Sequence, residues 1–419
     1  MLSRLITHLR NYGVRRRKGL YLLSIVILFW ALFDGIVSYI VPIVITDAGM
    51  SKTLMGIILG TSSIAGALFD FVACKLFRNT YYKRLFIIMF AICLAFPFIL
   101  FKAHSFLMFV IAMALWGVYY DLRMIGTFNY IGRFTPKEEH SESFGVLQVF
   151  PAIGYLVAPL MVGFLIADSL SWEPFVLSWI FIVISIVFFV ILISQTRGEE
   201  QAVLSANSAE PRGVWSEVVL WERVGRILLP VLLLTFFLNL ADSFFWTIGP
   251  LVAEGLSGIK EFSGVFMTAY ALPPLVVGWV VGSFTKTHGK KHTAFISLFV
   301  GSLFLMLFSF ISNSYLLILD VFLISFFMSI AYPAINGAYA DYISETDEYE
   351  KEIEGLGDFY TNAGYVVGPM MAGFMADQLG NGSTFSLLGV LGALTAIVLM
   401  WITPKSINVR AQLETPAAF

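Results

Sequence analysis

Apolar stretches of about twenty residues follow one another along almost the whole chain. A transmembrane helix needs roughly 20 mainly apolar residues, because backbone polar groups in lipid must be satisfied within the helix. Hydrophobic residues make up 58% of the 419 residues and charged residues 13%, whereas soluble domains carry about 25% charged residues. The sequence therefore predicts an all-α polytopic membrane protein. Twelve spans are predicted, at residues 20–45, 53–77, 83–102, 106–131, 142–167, 173–194, 227–252, 261–285, 292–312, 315–342, 356–378 and 384–403.

The distribution of basic residues predicts the orientation of these spans. Short cytoplasmic loops are enriched in Lys and Arg. With the N-terminus inside, 22 of the 26 basic residues fall in cytoplasmic segments, and only Lys52, Lys102 and Lys260 fall outside. The remaining one, Arg123, lies within the fourth span. The sequence thus predicts a multi-pass protein of the plasma (cell inner) membrane with both termini in the cytoplasm.

An internal repeat relates the two halves of the chain. The segment GYLVAPLMVGFLIAD (154–168) is similar to GYVVGPMMAGFMAD (364–377), at a shift of 210 residues. Near the start of each half, four positions match at a shift of 208, namely Asp34, Pro42, Lys52 and Gly56 with Asp242, Pro250, Lys260 and Gly264. The first span therefore repeats as the seventh, and the fifth repeats as the eleventh.

This repeat predicts two pseudo-symmetric six-helix bundles with the same orientation. The predicted boundaries are 1–195 for the N-terminal bundle and 227–404 for the C-terminal bundle, with a cytoplasmic linker at 196–226 and a cytoplasmic tail at 405–419. Within the linker, residues 214–223 are predicted either as an amphipathic helix at the membrane interface or as an extension of the seventh span.

The duplication and three motifs resemble the major facilitator superfamily, whose two halves are parallel repeats. Part of the family's loop motif follows the second span, at Gly66, Leu68, Asp70 and Lys75. In the fourth span, Arg123 followed by Gly126 resembles the family's Arg-x-x-x-Gly pattern with one residue missing. The resemblance covers nearly the whole chain and implies a carrier that works by alternating access.

The third motif is a glycine–proline pattern in the fifth and eleventh spans that resembles the family's antiporter motif. Small residues let helices approach closely, and proline removes one backbone hydrogen bond and permits bending. The pattern is typical of gating helices, and simple tight packing is the alternative. With Asp70 at the cytoplasmic end of the second span, the predicted gating residues are Asp70, Gly154, Pro159, Gly163, Gly364, Pro369 and Gly373.

Ionisable residues inside the predicted spans are candidates for proton coupling, because a charge in lipid is costly and marks a functional site by default. Asp34 lies near the middle of the first span, Arg123 in the fourth and Asp242 in the seventh. The resemblance implies that these spans line one central cavity. We therefore predict that the three residues couple protons to transport. A static ion pair between Asp34 and Arg123 is the alternative.

The predicted function is secondary active transport of a small organic solute by alternating access, with proton-coupled antiport (efflux) as the leading form. The alternatives are a facilitator or proton symporter for a sugar, organic acid, peptide or lysolipid. A non-transporting membrane receptor or assembly protein is the alternative from another class. Side chains predicted to line the substrate cavity are Trp116, Tyr119, Tyr120, Asn129, Asn239, Phe245, Tyr332 and Asn336.

Motifs for other functions are missing from the sequence. There is no Gly-x4-Gly-Lys-Ser/Thr phosphate loop, zincin helix or nucleophile elbow, so neither ATP-driven transport nor an enzyme is predicted. Cys74 and Cys93 lie in apolar stretches and predict neither a disulfide nor a metal site. No cofactor, metal, catalytic residue or nucleic acid partner is expected. The expected partners are a small-molecule substrate, protons and the lipid bilayer, and the protein is expected to be a monomer.

Overall fold

The structure is a computed structural model that describes residues 2–76, 81–135, 140–166, 170–195, 214–256, 263–346 and 349–403. These residues form thirteen α-helices, a 3-10 turn at Phe308–Phe310, and no strand. In chain order the helices are α1 (Leu2–Asp47), α2 (Lys52–Leu76), α3 (Tyr82–Lys102), α4 (Phe106–Phe134), α5 (His140–Leu165), α6 (Glu173–Gln195), α7 (Val214–Glu254), α8 (Gly264–Ala271), α9 (Pro273–His288), α10 (Lys290–Leu307), α11 (Ser314–Glu345), α12 (Glu350–Leu379) and α13 (Asn381–Ile402).

Ten of the helices among these residues are long and apolar enough to cross a membrane, by length and composition. The eighth predicted span corresponds to α8 and α9 together, and the eleventh corresponds to the more polar α12. All twelve predicted spans therefore fall on helices. The prediction of an all-α, multi-pass membrane protein is confirmed.

The eighth predicted span, 261–285, is broken rather than continuous. Helix α8 ends at Ala271 and α9 begins at Pro273. Pro273 and Pro274 have no backbone N–H, so neither can donate a hydrogen bond to the preceding turn, and a proline ring also clashes with the carbonyl four residues earlier. The helix consequently stops at Ala271 and restarts with proline in its first turn.

The two alternatives for residues 214–223 are decided by α7. This helix runs without interruption from Val214 to Glu254, so the segment is an extension of the seventh span. The rest of the linker, from 196 to 213, lies outside the described residues.

The chain forms two compact units. Unit 1 comprises 1–50, 61–204 and 260–268, and unit 2 comprises 51–60, 205–259 and 269–419. In unit 1, α1 packs against α5 and α6, and α3 packs against α4; in unit 2, α7 packs against α12, and α10 packs against α11 and α13. The pairs α1–α5 and α7–α12 follow the order of the sequence repeat. The predicted domain boundaries stay a prediction.

Buried hydroxyl groups join helices within each unit. The Ser185 hydroxyl of α6 donates to the carbonyl of Val26 in α1 over 2.7 Å. In unit 2, the Ser325 hydroxyl of α11 donates to the carbonyl of Tyr270 in α8 over 2.5 Å. Such bonds add directional contacts to interfaces that are otherwise formed by apolar packing.

Candidate functional site

Asp34 lies at the centre of a hydrogen-bond network in unit 1. Its side chain is only 2% exposed. Oδ1 accepts from the Trp116 indole N–H over 3.0 Å and from the Tyr119 hydroxyl over 2.6 Å. Oδ2 accepts from the Tyr155 hydroxyl over 2.6 Å. Three donors from α4 and α5 thus satisfy one carboxyl of α1.

The helices bring these donors together for local reasons. Trp116 and Tyr119 are three residues apart on α4, so both side chains lie on one helix face. Tyr155 follows Gly154, and a β-carbon at Gly154 would lie 2.7 Å from the β-carbon of Ala31. Because only glycine allows this approach of α5 to α1, it is Gly154 that brings the Tyr155 hydroxyl within reach of Asp34.

Asp242 of α7 has a similar environment in unit 2. Its side chain is half-buried. Oδ1 accepts from the Tyr270 hydroxyl and Oδ2 from the Tyr365 hydroxyl, each over 2.6 Å. The Tyr270 ring stacks on Phe245, with ring centroids 4.1 Å apart and planes 16° apart. Phe245, predicted to line the substrate cavity, is thus a buried support for the tyrosine that binds Asp242.

Tyr155 and Tyr365 are repeat-related, as are the acids that they bind. Gly364, which precedes Tyr365, also permits a close helix contact, since a β-carbon there would lie 2.8 Å from the carbonyl oxygen of Phe236. Both tyrosines follow the first glycine of the repeated segment. The acids and the glycines were predicted from the sequence as functional residues, whereas these two tyrosines and Tyr270 were not. The signal that could have identified the first two was the Gly-Tyr pair common to both copies.

Arg123 is buried near Asp34 but does not pair with it. The guanidinium carbon lies 4.5 Å from the ring centroid of Trp30 and 4.9 Å from that of Tyr120. Nη2 donates to the Met124 sulfur over 2.8 Å, while the buried Nε has no hydrogen-bond acceptor in the described part of the chain. Arg123 acts on Asp34 through its electric field, and no direct ion pair joins the two described residues. The alternative of a static ion pair is therefore not what this structure contains.

Asn239 and Tyr332, both predicted to line the substrate cavity, use their polar atoms within unit 2. The Asn239 amide donates to the carbonyl of Thr235 over 2.8 Å. The Tyr332 hydroxyl donates to the carbonyl of Leu238 over 2.9 Å. Both bonds end on the backbone of α7. The bond of Asn239 stays within this helix, whereas the bond of Tyr332 joins α11 to α7.

The remaining two residues of that prediction lie elsewhere. The Asn129 side chain accepts from the backbone N–H of Tyr82 over 3.0 Å and so satisfies a free donor at the start of α3. Asn336 is exposed on α11.

Pro369 and Gly373, two of the predicted gating residues of α12, lie at a close crossing with α2 inside unit 2. A β-carbon at Gly56 would overlap the carbonyl oxygen of Pro369, and one at Gly373 would overlap that of Lys52. Both positions therefore require glycine. The backbones of the two helices touch at this crossing.

A repeat-related crossing joins α5 and α8 inside unit 1. A β-carbon at Gly264 would overlap the carbonyl oxygen of Pro159, and one at Gly163 would overlap the backbone nitrogen of Gly264. The repeated glycines found in the sequence therefore mark two equivalent contacts between helix backbones. Whether they gate transport stays a prediction.

Asp377, at the end of α12, binds the start of α2. Its carboxylate accepts from the backbone N–H groups of Lys52 and Thr53, over 3.1 and 2.7 Å, and from the Thr53 hydroxyl over 2.6 Å. The Lys52 ammonium donates to the Asn381 side chain over 2.7 Å. Free N–H groups and the helix dipole make the start of a helix a favourable place for a carboxylate. Asp377 thus caps α2 from another helix.

Asp70 lies near a second acid, Asp121 of α4. Asp70 is half-buried and acts electrostatically on Asp121. A β-carbon at Gly66, one turn before Asp70, would lie 2.5 Å from Oδ2 of Asp121. The loop-motif glycine therefore makes room for the Asp121 carboxyl, a role that the sequence pattern did not reveal.

The described residues include no group of three or more His, Cys, Asp or Glu side chains able to hold a metal ion. The chemistry that the two acid–tyrosine networks can perform is exchange of protons. Carboxyl groups and tyrosine hydroxyls can both donate and accept hydrogen bonds according to their protonation state.

Comparisons with known proteins agree with this architecture. The family model described as Major Facilitator Superfamily matches residues 23–239 and 231–417. The quinolone resistance protein NorA of Staphylococcus aureus is 21% identical over 369 residues, which cover 87% of this chain and 92% of NorA. The nucleoside transporter NupG superimposes with a TM-score of 0.73 at 13% identity, covering 95% of this chain and 100% of NupG. A peptide transporter POT in complex with sulfate gives a TM-score of 0.71 at 12% identity, covering 94% and 95%. The similarity to NupG and to the peptide transporter POT shows the fold alone.

Proposed function

The chain belongs to the major facilitator superfamily, and on that basis we propose that it exchanges a small organic solute for protons by alternating access. The family model shows that the chain is a transporter of this superfamily. Antiport, proton coupling, the plasma membrane location and cytoplasmic termini are parts of the proposal. The excess of basic residues in the predicted inward segments supports the orientation.

The network around Asp34 carries the proposal. An ionised Asp34 can accept from Trp116, Tyr119 and Tyr155, while a protonated Asp34 can donate to a tyrosine hydroxyl that has rotated. The buried carboxyl lies within reach of the positive charge of Arg123. A site whose two protonation states both find hydrogen-bond partners can bind and release a proton as its surroundings change.

Asp242 supplies the second acid of the proposed mechanism. Its two tyrosine donors satisfy one hydrogen bond on each carboxyl oxygen. No arginine equivalent to Arg123 acts on it within the described residues. The two acids therefore differ in their surroundings, since Asp34 has three hydrogen-bond donors and Asp242 has two.

The direction of transport is proposed from the likeness to NorA. That protein is a quinolone resistance protein, and resistance by a membrane carrier is consistent with removal of the compound from the cell. The buried titratable networks also favour a carrier over a non-transporting receptor or assembly protein, because an acid inside a membrane protein is costly unless it is used.

The test is transport into proteoliposomes with an imposed pH gradient and a fluoroquinolone as the first solute, comparing the wild type with Asp34→Asn. We expect gradient-driven transport to be lost, while solute binding, measured by thermal shift, persists. Glu222→Gln is the matched control, since this exposed acid of α7 makes only a surface ion pair with Arg226. Undiminished gradient-driven transport by Asp34→Asn would remove this residue from the mechanism.

A solute screen is needed if the fluoroquinolone is not transported. Thermal stability of the purified protein against metabolites and lipophilic cations identifies ligands, because binding to the native state alone raises apparent stability. Stabilisation by sugars, organic acids, peptides or lysolipids would instead support a symporter or facilitator.

A further inference from the structure

Asp320 is a buried acid that the proposed mechanism does not use. It lies in the second turn of α11 and is 5% exposed. Its Oδ2 is shielded from solvent and has no hydrogen-bond partner. Among the described residues, none donates a hydrogen bond to Oδ2, and no Lys or Arg pairs with the carboxyl. Asp320 thus differs from Asp34 and Asp242, which are both bonded by tyrosine hydroxyls.

The helices that pack against α11 do not offer Asp320 a counter-charge. These helices are α7, α9, α10 and α12, and Ser325 of α11 also bonds α8, which has no charged residue. The apolar segments of these four helices contain one charged residue, Asp242 of α7. The segments are 227–253 of α7, 273–285 of α9, 293–307 of α10 and 359–376 of α12. Beyond them, Glu254 ends α7, and Asp377 is already bound to the start of α2. No charged group in the described chain acts on Asp320.

The repeat indicates that packing does not require an acid at this position. Helices α4 and α11 begin with side-chain caps, Ser105 and Asn313, which are 208 residues apart. Asp320 therefore corresponds to Ala112, which is fully buried. A small apolar residue fills the equivalent place in unit 1, so a carboxyl in unit 2 calls for another explanation.

The energetics decide the charge state of the Asp320 side chain. Burying an ionised carboxylate without a partner costs several kcal/mol, whereas a neutral acid loses only hydrogen bonds to water. Burial without a partner therefore favours the protonated form of this carboxyl.

Asp320 lies near the level of the Asp242 network. Ser325 bonds the backbone of Tyr270, whose hydroxyl binds Asp242. Asp320 precedes Ser325 by five residues, about 7 Å along the helix axis. In the proposed orientation, Asp320 lies on the outer side of that network.

We propose that Asp320 is a third proton-binding residue of the carrier, protonated in the arrangement described here and able to exchange its proton with water. On release, the O–H bond of the acid breaks, the proton passes to a water molecule, and a carboxylate remains. This inference rests on the proposed proton-coupled function, to which it adds a site on the outer side of unit 2.

The test is infrared spectroscopy of the purified protein in lipid nanodiscs at neutral pH, with aspartate carboxyl groups labelled with carbon-13. We expect the wild type to show the C=O stretching band of a protonated carboxyl that is missing from Asp320→Asn. Asp320→Ala, which introduces the residue found at the equivalent position 112, should lose the same band if the asparagine variant does not fold. Asp341→Asn is the matched control, because the exposed Asp341 is ion-paired with Lys290 over 2.6 Å and should contribute no such band.

Exchange with solvent is tested by transfer to D2O. We expect the Asp320 band to shift as deuterium replaces the proton. A wild type without the band would mean that Asp320 is ionised, and a band that never shifts would mean a permanently locked acid; either result overturns the proposal. Neither measurement needs a solute, so both remain informative if the transport assays on Asp34→Asn refute proton coupling.

Discussion

The Tyr155 hydroxyl donates to Oδ2 of Asp34 over 2.6 Å, and Tyr365 makes a bond of the same length to Oδ2 of Asp242. Each pair joins the first predicted span of one half to the fifth predicted span of the same half. The two bonds therefore belong to the duplicated part of the fold. The additional donors differ, since Trp116 and Tyr119 come from α4 and Tyr270 comes from α8.

Removing the Tyr155 hydroxyl should impair proton coupling. A hydrogen bond to a charged group contributes about 1.5–3 kcal/mol, so Tyr155→Phe should reduce gradient-driven transport by roughly ten-fold or more with little loss of solute binding. Tyr365→Phe should have a similar effect through Asp242. Transport in proteoliposomes is the measurement, and Tyr315→Phe, at a side chain that is 69% exposed, is the control. Wild-type coupling in both variants would argue against the shared role.

Arg123 should tolerate lysine only in part. The guanidinium carbon lies 4.5 and 4.9 Å from the ring centroids of Trp30 and Tyr120, and lysine keeps the charge but not the flat group that can stack on aromatic faces. Arg123→Lys should lose about 0.5–2 kcal/mol of stability and keep some gradient-driven transport, whereas Arg123→Ala should lose transport. Thermal unfolding and proteoliposome assays would show this order. Equal activity of the lysine variant and the wild type would mean that charge alone suffices.

The glycine crossings should not accept a side chain. Alanine at Gly56 or Gly264 would overlap a proline carbonyl of the facing helix, and forced packing costs typically about 1–3 kcal/mol. Either variant should lower the unfolding temperature and increase hydrogen exchange in the crossing helices. Gly132→Ala is the control, because a β-carbon there meets nothing within 4 Å. An unchanged unfolding temperature would show that the backbones can separate at little cost.

Neutralising Asp70 should change the resting conformation. If this acid restrains the cytoplasmic side, Asp70→Asn should shift the population toward inward-open, with little change in the affinity of a given state. Distances between spin labels on the cytoplasmic loops measure the shift. Gly66→Ala should act in the same direction, because its β-carbon would press on the Asp121 carboxyl beside Asp70. An unchanged distance distribution in Asp70→Asn would mean that this residue has no part in gating.

Much of the fold was predictable because lipid imposes long apolar helices and the duplication repeats them. The eighth span was predicted as continuous, since hydropathy does not register the missing N–H groups of Pro273 and Pro274. For the candidate site, Asp34 and Asp242 stood out because a charge within a span is rare. Trp116 and Tyr119 were predicted to line the substrate cavity rather than to bind Asp34, and Tyr155, Tyr270 and Tyr365 were not predicted at all, because one sequence does not determine which face of a helix meets its neighbour.

The cap that Asp377 provides for α2 spans 324 residues between Thr53 and Asp377. During synthesis, the start of α2 is made long before α12 exists. Until α12 has been made, the free N–H groups at the start of α2 must bind water or lipid headgroups instead. A contact of such high sequence separation forms late, since the entropy of closing the intervening chain must be overcome first. The start of α2 can thus bind Asp377 only after α12 has been synthesised, and a chain truncated before α12 leaves its second helix without this cap.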